Sequence, residues 1–224
     1  MKSIIYKSTT KPQADKLRSG IGGLILAVIL INWTPTSHAV GLGIDMGTSE
    51  ENWSRDSGGD RETMHFGGVL DTAPAGYTVL NYRLTVGKES NYLGNNGYRV
   101  HYSGLAMTHT FGLRLAQGPS YRLWLGPQFK YSYYDEFQDR NFFGSDNEYD
   151  GFIRGYGAGL VIGYNLNLTR PVSLSFTGGT RYMRYSGSYD RNTGQTAASE
   201  VAIEDEVVGN FFGFSVIFRL GENY

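Results

Sequence analysis

Residues 155–185 read GYGAGLVIGYNLNLTRPVSLSFTGGTRYMRY, and this stretch decides the fold. Apolar and aromatic side chains recur at every second position on both sides of a short Asn-Leu-Thr-Arg-Pro break, and the positions between them are mostly Gly, Ser, Thr and Arg. A period of two predicts two antiparallel strands joined by a tight turn. Because small and charged residues make a poor protein core, we expect the apolar face of this hairpin to contact lipid.

The first 39 residues have the features of a secretory signal peptide. A segment rich in lysine is followed by an eleven-residue apolar run, residues 21–31, and then by Ser37-His38-Ala39, with small residues at the two positions that a signal peptidase reads. The alternative is a membrane anchor, but the run is well short of the roughly 20 residues that span a bilayer. We therefore expect residues 1–39 to be cleaved after Ala39, leaving residues 40–224 as one domain.

Composition excludes several classes of function. The leader holds five of the 20 basic and one of the 21 acidic residues, so residues 40–224 carry a formal net charge of −5, which argues against nucleic acid as a partner. The absence of cysteine excludes disulfides and thiolate metal sites, and we expect no cofactor. Low mean hydropathy still suits a membrane barrel, because only every second strand residue faces lipid.

The same alternation recurs along the rest of the domain and predicts eight strands. They begin near Val40, Thr63, Leu80, Leu105, Arg122, Gly155, Val172 and Val208. The connections alternate between long loops (residues 48–62, 88–100, 135–150 and 186–206) and short turns, which is typical of outer-membrane barrels with long extracellular loops and short periplasmic turns. The prediction is an all-β, eight-stranded antiparallel up-and-down transmembrane β-barrel.

The phrases GAGLVIGYNLN and SLSFTGGTRY, together with an amphipathic last strand that leads to an aromatic residue, carry a resemblance to a known group. With Phe218 or Tyr224 as that aromatic residue, residues 40–224 resemble the small eight-stranded outer-membrane barrels, the OmpA/OmpX-like group. The resemblance implies location in the outer membrane of a Gram-negative cell. It also implies outer-membrane lipid, including lipopolysaccharide, and the barrel-assembly machinery as partners.

Inward-facing charges are the first candidate site. The registers place Arg83, Lys130 and Arg181 deep in the lumen, and they place the acidic residue Asp45 on the same inner face. An eight-stranded barrel is just wide enough for side chains to fill it, so these residues either form a polar plug, completed by loop carboxylates that reach inward, or make an anion-attracting lumen. Three further inward cations, Arg114, Arg122 and Arg219, lie near the periplasmic turns, where we expect them to be hydrated.

The predicted loops contain the second set of candidates. Three of the four long loops are acidic, and the spacing of Asp146, Glu148 and Asp150 suits calcium ligation or simply a solvated loop, so we assign no metal ligand. Phe142 and Phe143 are paired aromatics in the same loop, which either contact an extracellular ligand or pack on neighbouring loops.

One pair of residues raises the question of catalysis. His101 and Ser103 share a strand face near the outer rim, and their spacing resembles the His-x-Ser of lipid A deacylases, but a Ser-His pair needs a third group to orient the imidazole and the rest of that strand offers no acidic residue. The sequence therefore predicts a non-enzymatic outer-membrane barrel with a structural or surface-interaction role. The alternative is a narrow channel for small anionic or amphipathic solutes.

Overall fold

The computed structural model describes residues 40–53, 60–73, 78–95, 98–140, 146–149, 151–191 and 199–220. No helix among these residues is long and apolar enough to cross a membrane. The strands are β1 (Val40–Trp53), β2 (Asp60–Asp71), β3 (Leu80–Asn95), β4 (Tyr98–Gln117), β5 (Tyr121–Arg140), β6 (Asp146–Tyr149), β7 (Gly151–Asn167), β8 (Val172–Arg191) and β9 (Ser199–Leu220). The predicted leader and the Phe142-Phe143 pair lie outside the described residues.

The strands close into a barrel. Neighbouring strands pair antiparallel, consecutive ones throughout except for β6 and β7, and β1 pairs with β9 from Val40↔Leu220 to Trp53↔Val207. β5 pairs with β7 as far as Tyr134↔Ile153 and beyond that with β6, so that β6 and β7 share one strand position. Over the described ranges the barrel therefore has eight strand positions, and the predicted fold class is confirmed.

Side chains alternate between the two faces of the barrel wall, as the period of two requires. On β1, the outward Leu42, Ile44 and Met46 are about half exposed, whereas the inward Asp45 and Ser49 are buried. An apolar band with the same alternation covers the outside of the other strands. We call the end that carries the turns at residues 118–120 and 168–171 the short-turn end and the opposite end the hairpin end.

The four long loops of the sequence prediction are largely strand. β1 continues to Trp53, β3 to Asn95, β5 to Arg140 and β8 to Arg191, each paired with its neighbour, and β9 begins at Ser199. The prediction failed there for a physical reason: backbone hydrogen bonds continue past the apolar band, where neither face needs apolar side chains and the alternation that marks a strand disappears. Many acidic residues assigned to loops therefore lie on a hydrogen-bonded wall.

Candidate functional site

The inner face of the barrel brings the predicted charged residues into two separate groups. Asp45 (β1), Arg83 (β3), Lys130 (β5) and Arg181 (β8) are all buried inside the lumen. Arg83 and Asp45 lie in a layer toward the short-turn end, and Lys130 and Arg181 lie in a layer toward the hairpin end. We call these the lower and upper layers.

In the lower layer the guanidinium of Arg83 meets acceptors from three other strands. Its Nη2 donates to Asp45 Oδ1 at 2.8 Å and also to the Ser215 hydroxyl, and its Nη1 donates to Ser175 Oγ at 2.8 Å. Asp71 Oδ2 lies 3.9 Å from Nη1. The cation is thus flanked by two carboxylates and two hydroxyls, which offset the cost of removing it from water.

In the upper layer two glutamates that the sequence prediction missed face the cations. Lys130 Nζ and the Tyr134 hydroxyl both donate to the carboxylate of Glu89. Glu51 Oε1 lies 3.5 Å from Arg181 Nη2, and Glu51 accepts a hydrogen bond of 3.0 Å from Tyr185. Arg181 also donates to Ser49 Oγ at 2.8 Å.

A signal for both glutamates was present in the sequence. Glu51 continues the inward series of Asp45 and Ser49, and Glu89 continues that of Arg83 and Gly87. Both had been placed in predicted loops, where the alternation of faces was not followed. Each deep cation therefore faces a carboxylate, and Asp45 is not alone on the inner side.

A chamber of about 60 Å³ lies between the two layers. Hydroxyls of Thr85, Thr110 and Thr177 line it, together with Gln128 and His65, whose Nε2 lies 3.5 Å from Asp45 Oδ2. Buried atoms of this lining, such as Gln128 Oε1, have no hydrogen-bond partner among the described residues. A polar chamber of this size suits a few water molecules rather than an organic solute.

Aromatic side chains close the lumen toward the hairpin end. The rings of Tyr102 and Tyr134 meet edge to face at 5.0 Å, and Tyr185 lies 6.4 Å beyond Tyr134. Ile153 and Met183 are buried on the inner face beside them. These five side chains form a largely apolar layer above the charged one.

Trp124 and Arg122 close the short-turn end. Trp124 is fully buried, donates from Nε1 to Asn165 Oδ1 at 3.2 Å, and occupies space that a side chain at Gly163 would take. Arg122 was expected to be hydrated, and that expectation is wrong: it is fully buried and donates to the carbonyls of Ala73 and Thr78 in the β2–β3 connection. The carbonyls of Ala73 and Thr78 provide the acceptors that water would otherwise supply.

The His101 and Ser103 pair lies on the outer face beside an acidic residue from the neighbouring strand. Ser103 donates to Glu136 Oε2, and Lys88 Nζ donates to the same oxygen at 2.7 Å. These hydrogen bonds, first from Lys88 and then from Ser103, lower the pKa of Glu136 below its ordinary value. The serine hydroxyl donates directly to the carboxylate, and the ring of His101 packs 4.7 Å from that of Tyr92, so these hydrogen bonds do not follow the order acid, imidazole, nucleophile that a triad requires.

The three carboxylates considered as calcium ligands lie only partly within the described residues. Asp146 and Glu148 lie in β6, in register with Arg140 and Gln138, and Asp150 lies outside the described residues. No group of three or more His, Asp or Glu side chains suited to hold a metal ion occurs among the residues that the structure describes.

No protein-family model and no curated protein sequence matches the chain. Among solved structures it is similar to Neisserial surface protein A, at 13% identity over 81% of this chain and 97% of that chain with a TM-score of 0.46. It is also similar to outer membrane protein OprG from Pseudomonas aeruginosa, at 9% identity over 81% of this chain and 94% of that chain with a TM-score of 0.48. E. coli Outer Membrane Protein W is similar at 14% identity, 83% of this chain, 100% of that chain and a TM-score of 0.39. At such identities the likeness concerns the barrel fold alone.

Proposed function

We propose that the protein is an integral outer-membrane barrel with a closed lumen, and that its role is structural or in surface interaction rather than enzymatic. The observation that carries the proposal is that the barrel is apolar outside and filled with paired charges inside. Trp124 and Arg122 close the lumen at the short-turn end, and the tyrosine layer closes it toward the hairpin end. The short-turn end faces the periplasm and the hairpin end faces the outside.

The exterior supports a location in the membrane. Exposed Leu, Ile, Phe and Met side chains form the outward band, and the pairing of β1 with β9 closes the sheet at the level of this band, as lipid demands of a spanning sheet. Tyrosines flank the band: Tyr121 and Tyr164 stack at 6.1 Å near the short-turn end, and Tyr131, Tyr156 and Tyr182 lie on the outer face toward the hairpin end. Aromatic residues at both interfaces are typical of membrane barrels.

The placement is tested on outer-membrane fractions run on SDS gels with and without boiling. A folded barrel migrates differently from the boiled chain, and we expect the shift in the outer-membrane fraction. Absence of the protein from that fraction, or the same migration in both lanes, would contradict the placement.

The interior favours a closed barrel over the narrow anion channel. Arg83, Lys130 and Arg181 each face a carboxylate, so the deep lumen offers an anion no unbalanced positive charge. The chamber is enclosed by the two charged layers, and beyond them the lumen is filled by Trp124 toward the short-turn end and by the tyrosine layer toward the hairpin end. Planar bilayers containing protein with the heat-shifted migration should show no reproducible conductance steps, and anion-selective steps would support the channel instead.

The outer face does not favour an enzyme. Ser103 lacks the imidazole contact that would activate its hydroxyl, so we expect lipid A from cells with and without the protein to have identical acylation by mass spectrometry. Loss of an acyl chain that depends on the protein would overturn this part of the proposal.

Two kinds of partner belong to this role: the machinery that inserts the chain into the membrane, and ligands that contact the barrel from outside the cell. The barrel-assembly machinery inserts the chain, and the strands that continue past the apolar band at the hairpin end offer a polar wall to extracellular ligands. The contribution of Phe142 and Phe143 to such contacts stays a prediction, tested by comparing the binding of cells that carry the double alanine variant.

A further inference from the structure

The outer face carries a groove where β9, β1 and β2 lie side by side. Met46 of β1 is in register with Phe214 of β9 and Phe66 of β2, and the next outward residue, Thr48, is in register with Phe212 and Met64. These residues line a depression of about 590 Å³, which we call the outer groove. Its volume is within the roughly 300–1,000 Å³ of sites that hold small molecules.

The walls of the outer groove are apolar, and no described part of the chain covers them. Met64 is 62% exposed and Phe66 is 61% exposed, and Phe212 is also exposed. In the proposed orientation these side chains lie in the half of the band toward the hairpin end, where the acyl chains of the outer leaflet are. Burial of methylene groups there is favourable, at about 0.8 kcal/mol for each group by the general scale.

One end of the outer groove is polar and carries one cation. The outward residues of β3 are apolar from Leu80 to Val86 and then change to Lys88 and Ser90, which both line the groove. The Lys88 side chain is 61% exposed. Its ammonium therefore lies where the apolar band ends on the hairpin side, at the level of lipid head groups.

We propose that the outer groove binds one anionic lipid of the outer leaflet, lipid A, with an acyl chain between Phe212 and Met64 and a phosphate on Lys88. The inference rests on the proposed membrane placement and deepens it by naming the lipid partner. The charge complementarity between a phosphate and Lys88 selects the head group, and the apolar walls select an acyl chain.

Glu136 sets the strength of the head-group contact. Its carboxylate accepts hydrogen bonds from Lys88 at 2.7 Å and from Ser103, so it holds the ammonium at the rim and also competes with a phosphate for it. Removing that negative charge should strengthen phosphate binding. A purely structural role for the Lys88–Glu136 contact would not produce this change.

The test uses the purified full-length protein, folded in maltoside micelles and verified by its heat-shifted migration, and titrated with bis-phosphorylated lipid A by native mass spectrometry. Lys88→Gln should weaken binding about fivefold, the usual effect of one basic residue on an anionic lipid. Arg154→Gln is the matched control, because Arg154 is an outward cation that does not line the groove, and it should leave affinity unchanged. Glu136→Gln should bind lipid A more tightly than the unmodified protein.

The acyl-chain contact is tested separately. Thr48→Phe fills the groove between the two walls and should weaken binding by about fourfold for each methylene group that it displaces. Thr180→Phe, an outward residue of β8 outside the groove, is its control and should bind as the unmodified protein does.

Equal affinity for dephosphorylated lipid A, or for phosphatidylglycerol, would overturn the inference while leaving the barrel proposal intact. Equal affinity of Lys88→Gln and Arg154→Gln would also overturn it. Absence of a heat-shifted band in the outer-membrane fraction contradicts the placement itself, which is a separate measurement, so the two failures are distinguishable.

Discussion

Lys130→Met and Lys88→Met make the same chemical change to two lysine–glutamate pairs that differ in burial. Lys130 and Glu89 are both 2% exposed, measured on their side chains, whereas Lys88 and Glu136 are 61% and 56% exposed. Burial should decide the outcome, because water solvates a carboxylate that loses its partner at the surface and cannot do so in the lumen.

The expected magnitudes differ severalfold. Lys130→Met leaves the Glu89 carboxylate in the lumen with the Tyr134 hydroxyl as its remaining donor, and removing one partner of a buried pair costs about 3–5 kcal/mol. For a domain of this size, that corresponds to a fall in Tm of about 6–20 °C. Lys88→Met should cost about 1 kcal/mol or less.

The assay follows the fraction of heat-shifted, folded barrel against temperature in one detergent. A third variant, Lys130→Met with Glu89→Gln, removes both charges and should regain more than half of the lost Tm. Equal losses for the two single variants would refute the reasoning from burial. A double variant no more stable than Lys130→Met would refute the claim that an unpaired carboxylate is the cause.

Three further predictions concern other parts of the barrel. Gly163→Ala should lower stability by about 1–3 kcal/mol, because the new methyl group overlaps the indole ring that closes the short-turn end, whereas Gly68→Ala, whose nearest neighbour would lie 3.8 Å away, should not change thermal unfolding. Arg122→Met leaves buried carbonyls of the β2–β3 connection without a donor, which should cost about 1–3 kcal/mol and speed amide hydrogen exchange there. The pKa of Glu136 is lowered mainly by its hydrogen bond from Lys88. The Lys88–Glu136 contact should therefore be fully formed at pH values above the ordinary carboxylate pKa, and it should be lost only as pH falls through the lowered pKa. An NMR titration of the Glu136 carboxyl carbon with its midpoint at the ordinary pKa would contradict this.

The barrel could be predicted from the sequence because lipid and lumen impose opposite demands on alternate residues. Residues 155–185 show this alternation most clearly, and β7 and β8 contain them in the expected register. The same parity was enough to expect Asp45 and Arg83 on the inner face, where the structure has them. The function of the lumen network stays a prediction.

The ends of the strands and the partners of the charges could not be predicted as well. Past the apolar band both faces are polar, so no alternation of apolar and polar residues marks β3 beyond Val86, and Glu89 was assigned to a loop although it keeps the inward parity of Arg83. Contacts such as that of Glu51 with Arg181 join residues 130 positions apart, and they follow from barrel closure rather than from any local pattern. The prediction for Arg122 was wrong because its closest acceptors are the backbone carbonyls of Ala73 and Thr78. Every residue has a carbonyl, so residue types do not indicate which carbonyls will accept.

The pairing of β1 with β9 also determines when the lumen can become complete. Asp45 accepts a hydrogen bond from Ser215 of β9 as well as from Arg83 of β3, and Glu51 faces Arg181 of β8, so each of these carboxylates of the first strand has a partner on one of the last two strands. Contacts of such long sequence separation form slowly. Until β9 pairs with β1, these carboxylates remain hydrated. Closure of the barrel and dehydration of its lumen therefore occur in one kinetic step.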